Sequence, residues 1–418
     1  MNKIPQSAIY LAIATFLLAL VLRTWLVMGI IAPVTVAGSS MAPTLRGPFA
    51  VVTCPNCQTQ FDVGVEFADR TEYAACPHCG IARVPLASSP LQRGDRLWVD
   101  RTLFSRRKPQ RWEVVILRQP DDGNQLCIKR IVGLPGETIR LTRGEVWIDG
   151  HLLTKTLAKQ LVMRRTIHLE EENHRRWQNS GSRRRKPVVE PTGWQWHNDH
   201  WQCAADKTKH EHRLSYVHSH EKPITDDYPY NAGLTRRLNR VHDFMLTTNL
   251  RVQGEGTLTL ENHDGRQTWR VAIRPAEGLI ALENDGKTLW SGSLSKELHQ
   301  GEVQLVFSNF DRQLLLALDG HVELRYPLHE DAPPTGTARP FAVEALNLSV
   351  SLDQLALYRD VYYENHTKGS VRTTAETPVQ LTENEYFLLG DNSPISVDSR
   401  FWGPVSGRLL LGGPLGVR

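Results

Sequence analysis

The chain has 418 residues and a mass of 47.3 kDa, a length that suits two or three domains and leaves room for a sizeable core. With 40% hydrophobic residues, 22% charged residues and a mean hydropathy of −0.35, it is neither a polytopic membrane protein nor a disordered tail. Lys+Arg 49 against Asp+Glu 45 leaves a net charge of +4, too nearly balanced to make nucleic acid the main partner, and no Gly-rich phosphate loop or dinucleotide fingerprint points to a nucleotide cofactor.

The N-terminus departs from that average. From Ile4 to Leu22 there is no charge, close to the roughly 20 apolar residues that a bilayer-crossing helix needs, so residues 4–26 read as a transmembrane anchor. A cleavable signal peptide fits the same pattern, since Lys3, an apolar run and small residues around Ala37 are all present. The anchor is favoured because the chain stays apolar past Arg23 through Ile31 and then turns β-branched. Lys3 places the N-terminus on the cytoplasmic side and the rest of the chain outside.

Next comes Gly38-Ser39-Ser40-Met41-Ala42-Pro43-Thr44-Leu45, a serine among small residues and a proline turn, which alone reads as a loop. It is followed by Cys54-Pro55-Asn56-Cys57, a gap of about 18 residues, and Cys76-Pro77-His78-Cys79-Gly80. Two C-x-x-C turns at this spacing deliver four thiolates to a tetrahedron, so 47–92 reads as a zinc-ribbon-like insertion with Cys54, Cys57, Cys76 and Cys79 as ligands. Two disulfides are the alternative that an outer compartment favours. A four-cysteine site leaves no open position, so its metal is structural.

Short strands are expected over Val34–Val36, Asp95–Val99, Glu113–Leu117 and Glu145–Asp149, bounded by Gly, Pro and Asp. Between the last two lies Cys127-Ile128-Lys129-Arg130-Ile131-Val132-Gly133-Leu134-Pro135-Gly136-Glu137. A lysine in a strand is ordinarily a solvated face residue. If its neighbours desolvate Lys129, its pKa falls and the neutral amine can take a proton from a serine hydroxyl. Cys127, two residues earlier, shares its face.

Residues 161–240 are basic and rich in His and Trp, including Arg183-Arg184-Arg185-Lys186 and Trp194-Gln195-Trp196-His197. They suit an anionic surface, a metal, or simply a polar linker. From 241 to 375 alternating runs such as Thr268–Ile273, Val303–Phe307 and Val350–Val361 are separated by Gly/Asn/Asp turns, the pattern of a β-sandwich. It resembles laminin-G-like or lectin-like jelly rolls at the level of pattern, which implies a sugar or protein ligand. A strand at Tyr386–Leu389 then leads into Gly390-Asp391-Asn392-Ser393-Pro394-Ile395-Ser396-Val397-Asp398-Ser399-Arg400-Phe401-Trp402-Gly403.

Taken in order, four segments resemble the boxes of bacterial type I signal peptidases, the membrane-bound Ser–Lys leader peptidases: 40–45, 94–99, 129–137 and 390–403. The fold class implied is mainly β: an N-terminal transmembrane helix and a signal-peptidase-type core split over 27–46, 93–160 and 376–418, interrupted by the ribbon and the jelly-roll-like sandwich. The resemblance implies that Ser40 is the nucleophile, Lys129 the general base through an acyl-enzyme, and Ser396 the hydroxyl that orients Lys129. It makes Gly38 a backbone contributor to the oxyanion hole. Arg130, Asp391, Asp398 and Arg400 become structural support, although Arg400 alone also reads as a surface pairing worth under about 1 kcal/mol. It implies no catalytic cofactor, exported preproteins as substrates, and a single-pass protein of the cytoplasmic membrane with its catalytic part on the outer side. The alternative is an envelope carbohydrate- or protein-binding protein on an inactive peptidase core.

Overall fold

The computed structural model describes residues 6–68, 71–77, 79–87, 89–170, 174–179, 193–205, 211–232, 234, 236–298, 301–328, 334–363 and 377–416. Lys3, His78, the 183–186 basic run and His210 lie outside the described residues. The chain divides into two compact units: Met1–Phe49 with Leu91–Leu152 and Tyr363–Arg418, and Ala50–Pro90 with Leu153–Tyr362.

In the first unit the uncharged N-terminus forms an α-helix over Gln6–Val21, then a π-helical stretch Leu22–Val27 and a short α-helix Met28–Ile30. Sixteen α-helical residues span about 24 Å, short of the ~30 Å hydrocarbon layer. Among the described residues no helix is long and apolar enough to cross a membrane, so the helix expected over 4–26 is not present as one α-helix. The winding changes where the Thr24 hydroxyl bonds back to the Leu20 carbonyl at 2.7 Å, a side chain competing with the helical ladder.

The body of this unit is an antiparallel sheet in the order Ile31–Thr35, Arg96–Asp100, Leu410–Pro414, Val114–Arg118, Leu126–Gly133, Glu385–Leu389, Val405–Ser406. A smaller sheet joins His151–Leu152, Glu145–Ile148, Thr138–Thr142 and Val379–Gln380. The expected strands are present, and the chain's last strand lies between two early ones. Val115, Leu117, Ile131, Leu388 and Val405 fill one apolar cluster, while Met41, Leu45, Leu97, Val99, Val114 and Ile116 fill another. Alternating residues of Val114–Arg118 thus go to different clusters, which is why that strand reads as a continuous apolar run.

The second unit contains the cysteine-bearing hairpins and a sandwich of two antiparallel sheets. One sheet runs Trp194–His197, His200–Cys203, Ser349–Arg359, Phe244–Gln253, Val303–Phe310, Gln313–Leu318, His321–Pro327, with Arg165–Leu169 also on Ser349–Arg359. The other runs Trp177–Asn179, His212–Tyr216, Phe341–Leu346, Thr257–His263, Thr268–Arg274, Leu279–Asn284, Lys287–Ser293. Inward residues of both sheets form one core. The described part of 161–240 is therefore more than a linker. It supplies five strands, because Trp177, Trp194, Trp201, Leu214 and Tyr216 give it an apolar face that the core buries.

Phe307 is fully buried and meets Phe341 of the opposite sheet edge-on, with ring centroids 5.7 Å apart. Phe307→Ala is expected to cost about 3–5 kcal/mol through lost transfer energy and an unfilled cavity. A denaturant titration following the sandwich tryptophans measures it.

Candidate active site

The Ser40 segment starts where the first core strand stops, with the Val36 N–H donating to the Asp95 carbonyl at 2.9 Å. Residues 40–44 form turns closed by Ala42 N–H to Ser39 O (3.1 Å) and Leu45 N–H to Met41 O (3.0 Å). Met41 and Leu45 anchor them in the core, leaving Ser40 half-buried. Asn392 grips the same segment twice: its backbone N–H donates to Ser40 O at 2.9 Å and its side-chain Nδ2 to Ser39 O at 3.0 Å. The nucleophile candidate thus has a fixed backbone.

Lys129 stands on Leu126–Gly133, opposite Val115 of the neighbouring strand. It is 3% exposed, and its Nζ donates to Ser40 Oγ at 2.8 Å. Burial pushes its pKa below the ordinary lysine value; Asp398, Cys127 and Asp391 pull it back up, while Arg400 assists the lowering. The Trp402 ring, with its centroid 5.9 Å from Nζ, closes off part of the surroundings. The pairing brings together two residues 89 positions apart, and a buried amine beside a hydroxyl is chemically suited to proton transfer.

Leu126–Gly133 pairs with Glu385–Leu389, Leu389 opposite Arg130, which carries the chain straight into the C-terminal box. Arg130 and Asp391 form a two-pronged ion pair with neither side chain exposed, Nε to Oδ1 at 2.8 Å and Nη2 to Oδ2 at 2.6 Å. Arg130 Nη1 also donates to Trp112 O at 2.7 Å, and the Thr44 hydroxyl donates to Asp391 Oδ2. Asp398 and Arg400 form a second buried pair, Nε to Oδ1 at 2.9 Å and Nη2 to Oδ2 at 2.7 Å. Arg400 is 3% exposed, so the surface reading of this residue fails: its guanidinium is held by Asp398 and by Ser393 Oγ and O. Asp398 also accepts from Gly390 N–H and caps the helical turn Ser399–Trp402.

Ser396 does not make the hydrogen bond to Lys129 that the resemblance implies. It is fully buried and its Oγ has no hydrogen-bond partner, because Lys129 spends its contact on Ser40 while the Ser396 hydroxyl lies against Gly390. Any Cβ at 390 would collide with Ser396 Oγ and with the Ser40 carbonyl, so glycine is required there for close approach. Gly38 is exposed and has nothing within 4 Å of where a Cβ would stand, so steric space does not demand glycine at that position. Asn392, Gly390, Thr44 and Trp112 position the site although sequence reasoning gave them no role. Trp112 is the least legible, because its part depends on a left-handed backbone (φ 66) that turns its carbonyl toward Arg130.

The four paired cysteines form a separate centre in the other unit. Each pair occupies the turn of a hairpin, with matching bonds: Cys54 N–H to Thr59 O and Gln58 N–H to Cys54 O, then Cys76 N–H to Ile81 O and Gly80 N–H to Cys76 O. Gln58 (φ 62) and Gly80 (φ 75) are left-handed at equivalent places. Cys54 Sγ lies 3.5 Å from Cys79 Sγ, Cys57 Sγ lies 3.6 Å from Cys76 Sγ, and all four sulfurs fall within 4.8 Å of one another. Thiolates at about 2.3 Å from one zinc would stand about 3.8 Å apart, whereas a disulfide needs about 2.05 Å. Burial raises the Cys79 thiol, but hydrogen bonds from Asn56, Ile81, Cys54 and Cys76 outweigh it and bring it to about 6. The centre is compatible with a metal.

Comparison with known proteins agrees with the resemblance over parts of the chain. The family model described as "Signal peptidase, peptidase S26" matches residues 84–200 and 344–413, less than half of the chain, a span that holds Lys129 and the 390–403 box but not Ser40. A probable signal peptidase I-2 of Synechocystis is 35% identical over 68 residues, 15% of this chain and 31% of the relative. Signal peptidase I of Pseudomonas aeruginosa is 42% identical over 50 residues, 12% of this chain and 18% of that protein. The chain thus spans less than a third of the length of these relatives. Among solved structures, a Bacillus subtilis carbohydrate binding module overlaps 44% of this chain and 95% of its own at 10% identity with a TM-score of 0.29. The Emp46p carbohydrate recognition domain overlaps 45% and 90% at 11% identity with a TM-score of 0.30. Those scores carry no argument about function.

Removing one partner of a buried ion pair strands the other. Asp391→Ala is expected to lower stability by about 3–5 kcal/mol, and a denaturation midpoint compared with the unchanged protein reads it directly.

Proposed function

We propose that this protein is a membrane-associated serine endopeptidase that removes signal peptides from exported preproteins. The observation that carries the proposal is the 2.8 Å contact between a buried Lys129 amine and the Ser40 hydroxyl, together with the local matches to signal peptidases. As a neutral amine, Lys129 takes the Ser40 proton while Oγ attacks the scissile carbonyl. The leaving amine takes that proton, an acyl-enzyme remains on Ser40, and Lys129 then activates the deacylating water. The Ser40 N–H is a donor for the developing oxyanion, and Gly38, exposed beside it, offers only backbone. Ser396 enters as buried packing against Gly390 rather than as a direct lysine partner.

The apolar helical stretch from Gln6 to Ile30 supports a place at the membrane, since Tyr10, Leu11 and Phe16 are among its exposed side chains. In this reading it holds the catalytic unit on the outer face of the cytoplasmic membrane, where a precursor anchored by its own apolar segment presents its cleavage site. Structural zinc is the proposed occupant of the four-cysteine centre, and the sandwich is proposed to bind a sugar or protein of the envelope.

Ser40→Ala and Lys129→Ala should each abolish cleavage of a preprotein in detergent, the lysine change by at least on the order of 10²–10⁴-fold. Full activity in either variant would sink the dyad, and so would failure of a penem-type acylating probe to label Ser40. The pH profile has a definite sign. Only the neutral amine is a base, so activity rises with pH through the Lys129 pKa, and the rise comes below the ordinary lysine value. For the zinc centre, metal analysis of the purified chain should find one bound zinc, lost in Cys57→Ser. No zinc together with only two free thiols on denaturation, those of Cys127 and Cys203, would establish disulfides instead.

A further inference from the structure

The sandwich unit holds a buried group that peptidase chemistry does not use. Lys155 lies 2.5 Å through Nζ from Asp311 Oδ1 and 2.6 Å from Asp360 Oδ2, and all three side chains are at most 7% exposed. Lys155 stands two residues inside one end of the Leu153–Tyr362 segment and Asp360 two residues inside the other. The contact joins positions 205 residues apart, across the neck of the insertion.

The surroundings are built around these three groups. The second oxygen of Asp311 accepts the Lys155 backbone N–H at 2.8 Å, and Oδ1 of Asp360 accepts the Val361 N–H at 2.8 Å. The Lys155 carbonyl is held by Gln313 Nε2 at 3.2 Å, and Leu157 and Phe310, close in sequence to Lys155 and Asp311, belong to an apolar cluster with Met245 and Leu315. Two further charged groups adjoin them: Asp243, whose Oδ2 accepts the Asp311 N–H at 3.4 Å with His242 paired to it, and the buried Arg359, whose Nη1 donates to the Asp360 carbonyl at 3.0 Å. One ammonium between two carboxylates leaves an unbalanced negative charge in a dry place, which is costly. Burial and the charge of Asp360 hold the Asp311 carboxyl up at about 6 against the pull of Lys155, while the two carboxylates hold the Lys155 ammonium above the ordinary lysine value, so Nζ reacts only when its proton is passed within the cluster.

We propose that Lys155 and Asp360 become joined by an intramolecular amide bond, with Asp311 relaying the protons, so that the neck of the sandwich is closed covalently. The bond that forms is Nζ–Cγ and the bond that breaks is Cγ–Oδ2 of Asp360. The ammonium gives up two protons, which leave with that oxygen as one water. Nothing is oxidised or reduced and no co-reactant is needed. Asp311 first accepts a proton from Nζ, freeing its lone pair, and delivers it to the departing oxygen; after attack it carries the second proton from nitrogen to that oxygen in the same way. The Val361 N–H polarises the carbonyl under attack. Burial supplies both the driving force, since two ions become one neutral amide, and the proximity, with effective molarities on the order of 10⁵–10⁸ M for oriented groups. The inference stands apart from the peptidase reading.

Mass spectrometry of the denatured full chain tests it. The expected result is a mass lower than the sequence by one water, a tryptic peptide that links the Lys155 and Asp360 segments, and no cleavage after Lys155. Lys155→Arg, which keeps the charge but cannot form the amide, should restore the full mass, and Asp311→Asn should leave the chain unlinked. A full-mass chain cut normally after Lys155 would overturn the proposal in favour of a plain ion pair. A link to Asp311 in place of Asp360, or one that still forms in Asp311→Asn, would overturn the assigned roles.

Discussion

The Arg130–Asp391 pair is the contact on which the rest of the candidate site depends. Its two charges are 261 positions apart and wholly removed from water, so neither tolerates loss of the other. Arg130 is the residue after Lys129, and Asp391 is the residue before Asn392, which holds the Ser39 and Ser40 carbonyls. One ion pair therefore fixes the strand that carries the amine relative to the turn that carries the hydroxyl. Thr44 adds a bond from the serine side to the same carboxylate. The short Lys129–Ser40 contact follows from that frame.

The frame also fixes the electrostatics. Burial lowers the Lys129 pKa, and the negative charges of Asp398 and Asp391 act against that lowering. Each of those carboxylates is already satisfied by an arginine, Asp398 by Arg400 and Asp391 by Arg130. An unpaired carboxylate at either place would stabilise the ammonium and remove the base. In the proposed mechanism the two arginines act without touching the reacting atoms, because they take up charge that would otherwise reach the lysine.

Much of this was legible in the sequence, for a physical reason. Strands with alternating or continuous apolar residues announce themselves, and so do Cys54, Cys57, Cys76 and Cys79, whose turns have a fixed spacing. Lys129 was legible as an anomaly, a charge inside an apolar run. What stayed hidden depends on the third dimension. Trp112 contributes a carbonyl through an unusual backbone angle, Gly390 contributes the absence of an atom, and Asn392 contributes bonds to backbone 352 and 353 residues away in a region that composition leaves plain. The Ser396 hydroxyl was expected to turn to Lys129, but orientation within a buried turn is set by packing against Gly390. The sequence of the His- and Trp-rich segment leaves open an anionic surface, a metal and a polar linker, because its basic residues mask the buried Trp177, Trp194 and Trp201.

The 153–362 segment raises a question of chain entropy. Joining the ends of a flexible segment of this length costs about 5 kcal/mol, and each doubling adds only about 0.6 kcal/mol. A core therefore tolerates a whole sandwich between two of its strands provided that the ends are held. On the catalytic side Tyr363 N–H bonds to Gly144 O at 3.2 Å, and within the sandwich unit Lys155 meets Asp311 and Asp360. Both fastenings lie within a few residues of where the chain leaves and re-enters the peptidase-like unit. The strand Glu385–Leu389 pairs with Leu126–Gly133 after the whole insertion has been made, so the closure cost is offset by contacts of the sheet they share. The Tyr363–Gly144 contact works within the first unit and the Lys155 cluster within the second, so each unit holds its own end of the segment by contacts of its own.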